Sequence, residues 1–271
     1  MNIHRTKIEW ATHVWNPITG CNHGCRYCYA KRIIDRFAPK MTERPEPGSI
    51  IEEAPGIFCA TKPVRLVDSK GEYTRSANFP TGFNPTFYRY QLDYPTHKTA
   101  PCRVFVVAMG DMFGEWVPDE WIEKIFEACA KAPQHKWIFL TKNPARYLAL
   151  AGAGKLPKDS IFWFGSTITT PDTPFYWSNQ HKTFVSIEPL LAPFDEVDIE
   201  EVQLADWIIV GNMTGAGSKK HQPKREWVEA VVNAARQAGK PVFMKNGLKE
   251  LWGEPLIQEY PPELLLPNEI K

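Results

Sequence analysis

Cys21-Asn-His-Gly-Cys25-Arg-Tyr-Cys28 is the stretch on which the reading of this chain turns. Three cysteines fall within eight residues. One loop can therefore set three thiolates around one face of a metal cluster and leave a fourth corner without a protein donor. Thiolates are the usual protein ligands of iron–sulfur clusters. A vacant coordination position is where a small molecule binds and reacts. Two other readings compete. A zinc knuckle needs a fourth ligand; His23 lies too close in sequence to Cys21 and Cys25 to complete a tetrahedron, and no second ligand pair exists. A disulfide suits a small secreted domain, not 271 residues whose first ten carry Arg5, Lys7 and Glu9 and no apolar leader.

The flanks of this loop are regular. His13 to Ile18 reads as a short strand, and Tyr29 to Phe37 as a helix with Ile33, Ile34 and Phe37 on one face, stopped by Pro39. From Cys102 the alternation continues. The runs Arg103 to Met109, Trp137 to Leu140, Ile161 to Ser166, Thr183 to Glu188, Trp207 to Val210 and Pro241 to Met244 read as strands. Pro118 to Lys131, Asn143 to Leu150 and Lys224 to Gln237 read as helices. Short apolar runs separated by helices imply parallel strands covered by helices. With the first strand this makes an α/β fold of seven strands, a partial or complete TIM-like (βα) barrel.

Residues 38–101 break the pattern. Proline recurs at 39, 45, 47, 55, 63, 80, 85, 95 and 101, with interleaved aromatics and charges. Ile57 to Val67 reads as a strand, and Phe79 to Tyr90 as turn-rich and aromatic. So long a stretch reads as an insertion or lid rather than a connection. The expected organisation is a single barrel domain over 1–271, an insertion over 38–101, and a proline-rich tail over 255–271 packed on the barrel.

Lys plus Arg total 32 against 31 Asp plus Glu, so nothing marks a nonspecific nucleic-acid binder, although a local basic groove is compatible with this balance. No run approaches the roughly 18 apolar residues of a membrane span. A cytoplasmic protein is expected, in a reducing compartment that favours thiolates over disulfides. Cys59, Cys102 and Cys129 are scattered and read as packed free thiols.

In parallel barrels chemistry gathers at the C-terminal strand ends. Here those ends read, in order, Cys21 with Cys25 and Cys28; Met109-Gly110-Asp111; Thr141-Lys142-Asn143; Ser166-Thr167; Ser186-Ile187-Glu188; Gly211 to Gly215; and Lys245-Asn246. So many polar ends point to one polar pocket. Any single one serves equally well as a turn cap.

The cysteine spacing, with Tyr27 before the last cysteine, resembles the radical S-adenosylmethionine (radical SAM) superfamily. The resemblance implies a [4Fe–4S] cluster on Cys21, Cys25 and Cys28 and S-adenosylmethionine at its open iron. It places Met109, Gly110 and Asp111 at the methionine amino group. Ser166, Thr167, Ser186 and Glu188 fall at ribose and carboxylate, and Tyr27, Gly211 and Asn212 at adenine. It also implies an external flavodoxin- or ferredoxin-like electron donor. A wider set of segments is similar to a phage-associated, radical-SAM-like family of unassigned function, carried by phages and mobile elements. They are Thr6-Lys-Ile-Glu-Trp10, Trp15-Asn-Pro17, Gly110-Asp-Met-Phe113, Phe139-Leu-Thr-Lys142, Ser186-Ile-Glu-Pro-Leu190, Ile209-Val-Gly-Asn212 and Phe243-Met-Lys-Asn246. That family often has Ser-Asp-Leu-Phe near 110–113 and Gly-Gly-Glu-Ser-Gly near 211–215. The glutamate has no counterpart here, which bears on the polar contact at Asn212 or Met213.

The reading that follows is a radical SAM enzyme of the host cytoplasm that abstracts a substrate hydrogen. Its substrate would be a nucleotide or nucleobase, for example a hypermodified phage DNA base, and its outcome isomerisation or modification. Lys142 and Lys245 are candidate anion contacts, and Arg89 with the aromatics of 79–90 a base-stacking site. A peptide or small-metabolite substrate is the alternative within the class. A noncatalytic metal-binding barrel is the alternative outside it. No Ser-His-Asp or paired-metal pattern supports a barrel hydrolase.

Overall fold

The computed structural model of the chain describes residues 3–215, 218–253 and 255–270. An eight-stranded sheet organises them. Its strands, in chain and spatial order, are β1 (His4–Arg5), β2 (His13–Trp15), β3 (Arg103–Val106), β4 (Lys136–Thr141), β5 (Phe162–Ile168), β6 (Lys182–Ile187), β7 (Trp207–Val210) and β8 (Val242–Met244). β1 is antiparallel to β2, and all later neighbours are parallel. The seven parallel strands are those announced by the apolar runs. β1 is two exposed polar residues and has no such signal. Among the described residues no ladder joins β8 to β1, so the barrel is partial. Glu9 spans the gap: its carbonyl accepts from Tyr260 Oη (3.2 Å) and its carboxylate from the Asn246 N–H (3.2 Å).

Alternation along the strands sorts two layers. Outward-facing Val104, Val106, Phe139 and Phe164 pack with Trp121, Ile125 and Phe126 of the helix α2 (Asp119–Ala130). The helix α1 (Tyr29–Phe37) precedes it in the chain. Inward-facing Val14, Phe105, Ile138, Trp163, Phe184, Ile209 and Phe243 enclose Trp10. Strands buried on both faces have nothing to alternate, which is why they read as continuous apolar runs. Burying a Phe-sized side chain stabilises by about 1.5–3 kcal/mol. The interior rings Trp10, Trp163 and Trp207, none more than 2% exposed, therefore carry much of the fold. Gly165 makes room for the Phe184 ring beside them, since a Cβ there would lie 2.1 Å from it.

Three expectations need correction. The strand expected from Arg103 to Met109 ends at Val106, because Val107 adopts φ +62°, a left-handed conformation costly for a β-branched residue. The strand expected from His13 to Ile18 stops at Trp15, and Ile18–Thr19 joins a different sheet after Pro17. The strand expected from Ile57 to Val67 is two, Ile57–Ala60 and Arg65–Val67, in separate sheets on either side of Pro63. The 38–101 stretch thus carries small sheets of its own. One of them includes Ile18–Thr19, which ties it to the base of the cysteine loop.

The tail returns to the barrel. Gln258 bridges Phe243, and Leu264 is fully buried among the interior rings. Arg103, 4% exposed, faces inward at the start of β3. Its guanidinium pairs with both oxygens of Glu269, donates to the Leu264 carbonyl (3.2 Å) and lies 4.0 Å from the Tyr260 ring centroid. Burial pushes the Glu269 carboxyl up, but Arg103 and the Leu266 N–H pull it down further and leave it below the usual range. A depressed carboxylate contributes stability that is present above its unfolded pKa of about 4.3 and is lost as pH falls through the folded value. Glu269→Gln strands the Arg103 charge. Breaking a buried pair costs about 3–5 kcal/mol; with Glu269 near one-third exposed, about 2 kcal/mol is expected. Urea unfolding at pH 7 and pH 3 checks this: the variant is weaker at pH 7 and differs little at pH 3.

Candidate functional site

The C-terminal ends of the parallel strands open into one cavity of about 690 Å³. Its floor is the top of the aromatic interior, with Trp10, Val14, Phe105 and Leu140. Cys21, Cys25 and Cys28 form one wall. All three are free thiols, partly buried. Burial pushes the Cys21 thiol up to about 12, against a backbone N–H of His23 that favours the thiolate. Burial also raises Cys25, while the Lys142 charge acts in the opposite direction. Such thiols hold their protons at neutral pH and are poor nucleophiles; a metal is what would displace those protons. Cys28 caps α1, its Sγ accepting from the Lys31 N–H at 3.4 Å.

A glycine pair sets the loop. Gly20 donates to the Met109 carbonyl (2.9 Å), and its φ of +88° turns the chain into Cys21. A Cβ there would come within 2.3 Å of the Asn84 carbonyl oxygen, and one on Gly110 within 2.6 Å of the Gly20 carbonyl. Only glycine permits these approaches. Cys21 N–H then donates to the Phe83 carbonyl (3.2 Å), which joins the loop to the 38–101 stretch.

Asp111 anchors the loop from the opposite side. His23 Nε2 donates to its Oδ2 at 2.8 Å, and the His23 ring stands edge-on to Trp116 at 4.9 Å. The Lys142 N–H (3.0 Å) also reaches Oδ2, the Phe113 N–H (2.9 Å) reaches Oδ1, and Thr141 Oγ1 reaches both (2.9 and 2.8 Å). Four donors, with the single Thr141 hydroxyl shared between both oxygens, match the roughly four lone-pair directions of a carboxylate. Asp111, expected at the methionine amino group, lines the cavity and also braces the strand ends against the loop.

The other expected residues divide. Tyr27, Met109, Gly110, Thr167, Ser186, Glu188, Asn212, Lys142 and Lys245 line the cavity together with Asp111 and the cysteines. Ser186 is 1% exposed and its hydroxyl has no partner among the described residues, so a ligand can complete it. Lys142 Nζ lies 5.4 Å from the Tyr27 ring centroid. Glu188 and Lys245 are committed to each other at 2.7 Å. Gly211 lies beneath that pair, 3.2 Å from the Lys245 stem as judged by an added Cβ, and does not itself line the cavity. Asn212 Nδ2 donates to Gln222 Oε1 at 2.6 Å. Two expectations are corrected. Ser166 is fully buried, with its Oγ taken by the Tyr176 N–H (2.9 Å), and Arg89 lies away from the cavity between Glu53 (3.6 Å) and Glu120 (3.8 Å).

Sequence reasoning missed the role of His23 as the partner of Asp111. It also missed Tyr29, whose ring is half exposed at the mouth while its enclosed hydroxyl donates to the Ala108 carbonyl (2.5 Å) and is raised by burial. Among the described residues no three Cys, His, Asp or Glu side chains converge on a single ion position. The thiols of a multi-iron cluster bind different irons and need no common point. Three unpaired thiols and an orphaned hydroxyl in one cavity fit such a group and a polar ligand beside it.

Fold and site together define a partial βα barrel with a thiol-lined cavity at its C-terminal strand ends. The chain belongs to the family described as "Protein of unknown function (DUF5131)", which matches residues 5–254. No curated protein matches it. Among solved structures, it is similar to a spore photoproduct lyase double mutant with bound AdoMet and dinucleoside spore photoproduct. The TM-score is 0.46 at 11% identity, over 92% of this chain and 76% of that one. A spore photoproduct lyase complexed with dinucleoside spore photoproduct gives 0.43 at 11% identity, with the same coverage. No helix among the described residues is long and apolar enough to cross a membrane.

Proposed function

We propose that this protein is a radical SAM enzyme in which Cys21, Cys25 and Cys28 hold a [4Fe–4S] cluster. One observation carries the reading: three unpaired thiols on one loop face a single cavity at the C-terminal strand ends, and no fourth cysteine lines it. Bound there, such a cluster would supply the one electron that splits the sulfur–C5′ bond of S-adenosylmethionine into methionine and a 5′-deoxyadenosyl radical. The chain's own residues bind and shield. The open Ser186 hydroxyl and Thr167, at neighbouring strand ends, are placed to hydrogen-bond a polar ligand. The Glu188–Lys245 pair offers a carboxylate and an ammonium at one rim. The floor of Trp10, Phe105 and Leu140 excludes water from a reactive intermediate.

The substrate in this reading is a nucleobase or nucleotide, for which the phage resemblance suggests a modified phage DNA base. Support comes from an aromatic wall of Tyr27, Phe79 and Phe83, beside Lys142, which has no carboxylate partner among the described residues. The 38–101 stretch, which supplies Phe79 and Phe83, is then a lid on the single barrel domain. An external flavodoxin- or ferredoxin-like protein of the host cytoplasm supplies the electron. Anaerobic reconstitution tests the proposal. The expected result is about four iron and four sulfide per chain, and 5′-deoxyadenosine on adding dithionite and S-adenosylmethionine. Zinc uptake in place of iron, with no nucleoside product, would overturn it.

A further inference from the structure

The cavity wall does not stop at the strand ends. It continues along α1, where Tyr29 and Ile33 line it. Phe37 extends the same stripe, because positions four apart share a helix face. Tyr29 is 47% exposed, Ile33 42% and Phe37 51%, so the stripe leads outward from the cavity mouth uncovered. Beside it run Arg32 and Arg36, also four apart, both exposed and without a carboxylate partner among the described residues. A Cβ on Gly215 would lie 2.8 Å from an Arg32 guanidinium nitrogen, so the turn after β7 stands against this flank of α1.

Charge is concentrated at the same mouth. Arg26, Arg32 and Arg36, on α1 and the loop before it, and Lys219 and Lys220, in the turn after β7, have no carboxylate partner among the described residues, whereas the whole chain is only +1. Exposed aromatics beside unpaired cations are the elements of a single-strand track, with stacking platforms for bases and point charges for phosphates. We infer that α1 and the 218–220 turn dock a single-stranded polynucleotide, with bases stacked on Tyr29 and Phe37 and one base delivered into the cavity. This rests on the nucleotide part of the proposed function and not on the cluster. A duplex keeps its bases stacked inside and cannot deliver one without extrusion. A bilayer is flat and would leave the concave end of the track unused.

The test is fluorescence anisotropy of the full chain with a labelled single-stranded oligodeoxynucleotide of about twelve nucleotides, over a salt series. The expected result is binding that weakens linearly in log salt. Phe37→Ala weakens it about tenfold with the slope unchanged. Arg32→Ala with Arg36→Ala flattens the slope by about 1.4, the value for two phosphate contacts on a single strand. Both changes are on an exposed helix face and put in a better helix former, so circular dichroism stays as in the parent. No binding at low salt, unaltered binding by both variants, or stronger binding to anionic vesicles or polyglutamate would overturn the inference. Measuring with and without reconstituted iron separates the two readings. Oligonucleotide binding lost in both forms sinks the track alone, whereas intact binding by a protein that takes up no iron sinks the cluster alone.

Discussion

Cys25→Ala is expected to lower 5′-deoxyadenosine formation by about a thousandfold or more, with iron content falling in parallel. The magnitude follows from comparison: residues that merely orient a metal ligand cost about 10–100-fold in affinity or activity when removed, and a direct ligand costs more. Cys25 is the informative choice of the three. Cys28 caps α1, and Cys21 follows the glycine corner, so their replacement also perturbs the backbone. Cys25 carries no comparable side-chain duty, and its substitution leaves the fold intact by circular dichroism. Cys59→Ala is the matched control. That thiol is fully buried in the core, paired in register with Phe87 on the neighbouring strand, and lines no part of the cavity. It loses stability and keeps its iron. A Cys25→Ala protein that binds iron and sulfide as the parent does would remove the thiol loop from the site.

The parallel strands were legible because they are buried on both faces. Phe139 packs outward on α2 while Ile138 packs inward on Trp10, so the whole run must be apolar. β1 was not legible, since His4 and Arg5 are polar, exposed residues with no apolar run to mark a strand. The helix Glu196–Val202 also escaped notice. It is short and acidic, and what starts it is a capping box between Asp195 and Asp198 rather than an apolar stripe. Strand ends were overextended for a related reason. Val107 is as apolar as its neighbours, and only its left-handed backbone reveals that the strand has stopped.

The site was legible as a place and less so as a set of roles. Position at a strand end brought Thr167, Ser186, Lys142 and Lys245 to the cavity. Spacing cannot tell which polar groups the protein uses up on itself. Ser166 and Ser186 look alike in sequence, yet one hydroxyl is taken by the Tyr176 N–H and the other has no partner. Glu188 and Lys245 read as two separate contacts and are one ion pair. Arg89 read as a base-stacking cation because it follows aromatic residues; two carboxylates from other elements hold it elsewhere.

The same distinction makes Asp111→Asn a large change despite its near-identical shape. The amide presents one oxygen and one NH2 where the carboxylate presented two acceptors. With the NH2 toward the Oδ1 position it meets the Phe113 N–H; toward Oδ2 it meets the Lys142 N–H and His23. Thr141 can rotate and His23 can change tautomer, but a backbone N–H has no alternative. One buried N–H is orphaned whichever way the amide turns, at about 1–3 kcal/mol, and the remaining bonds lose their charge assistance. The expected total is about 3 kcal/mol, or a fall in melting temperature of roughly 6–12 °C. His23→Ala removes only the partly exposed member of the network and is expected to cost about 1 kcal/mol, because Asp111 keeps its other donors. The two variants separate stability from loop placement. His23→Ala removes the tether and Asp111→Asn leaves it a neutral hydrogen bond in place of a charge-assisted one, so both lower the iron retained after reconstitution at a temperature where each is folded, while only Asp111→Asn shifts the melt strongly. An Asp111→Asn protein that melts with the parent and retains as much iron would mean that the cysteine loop is held by the Gly20–Met109 bond and the α1 cap alone.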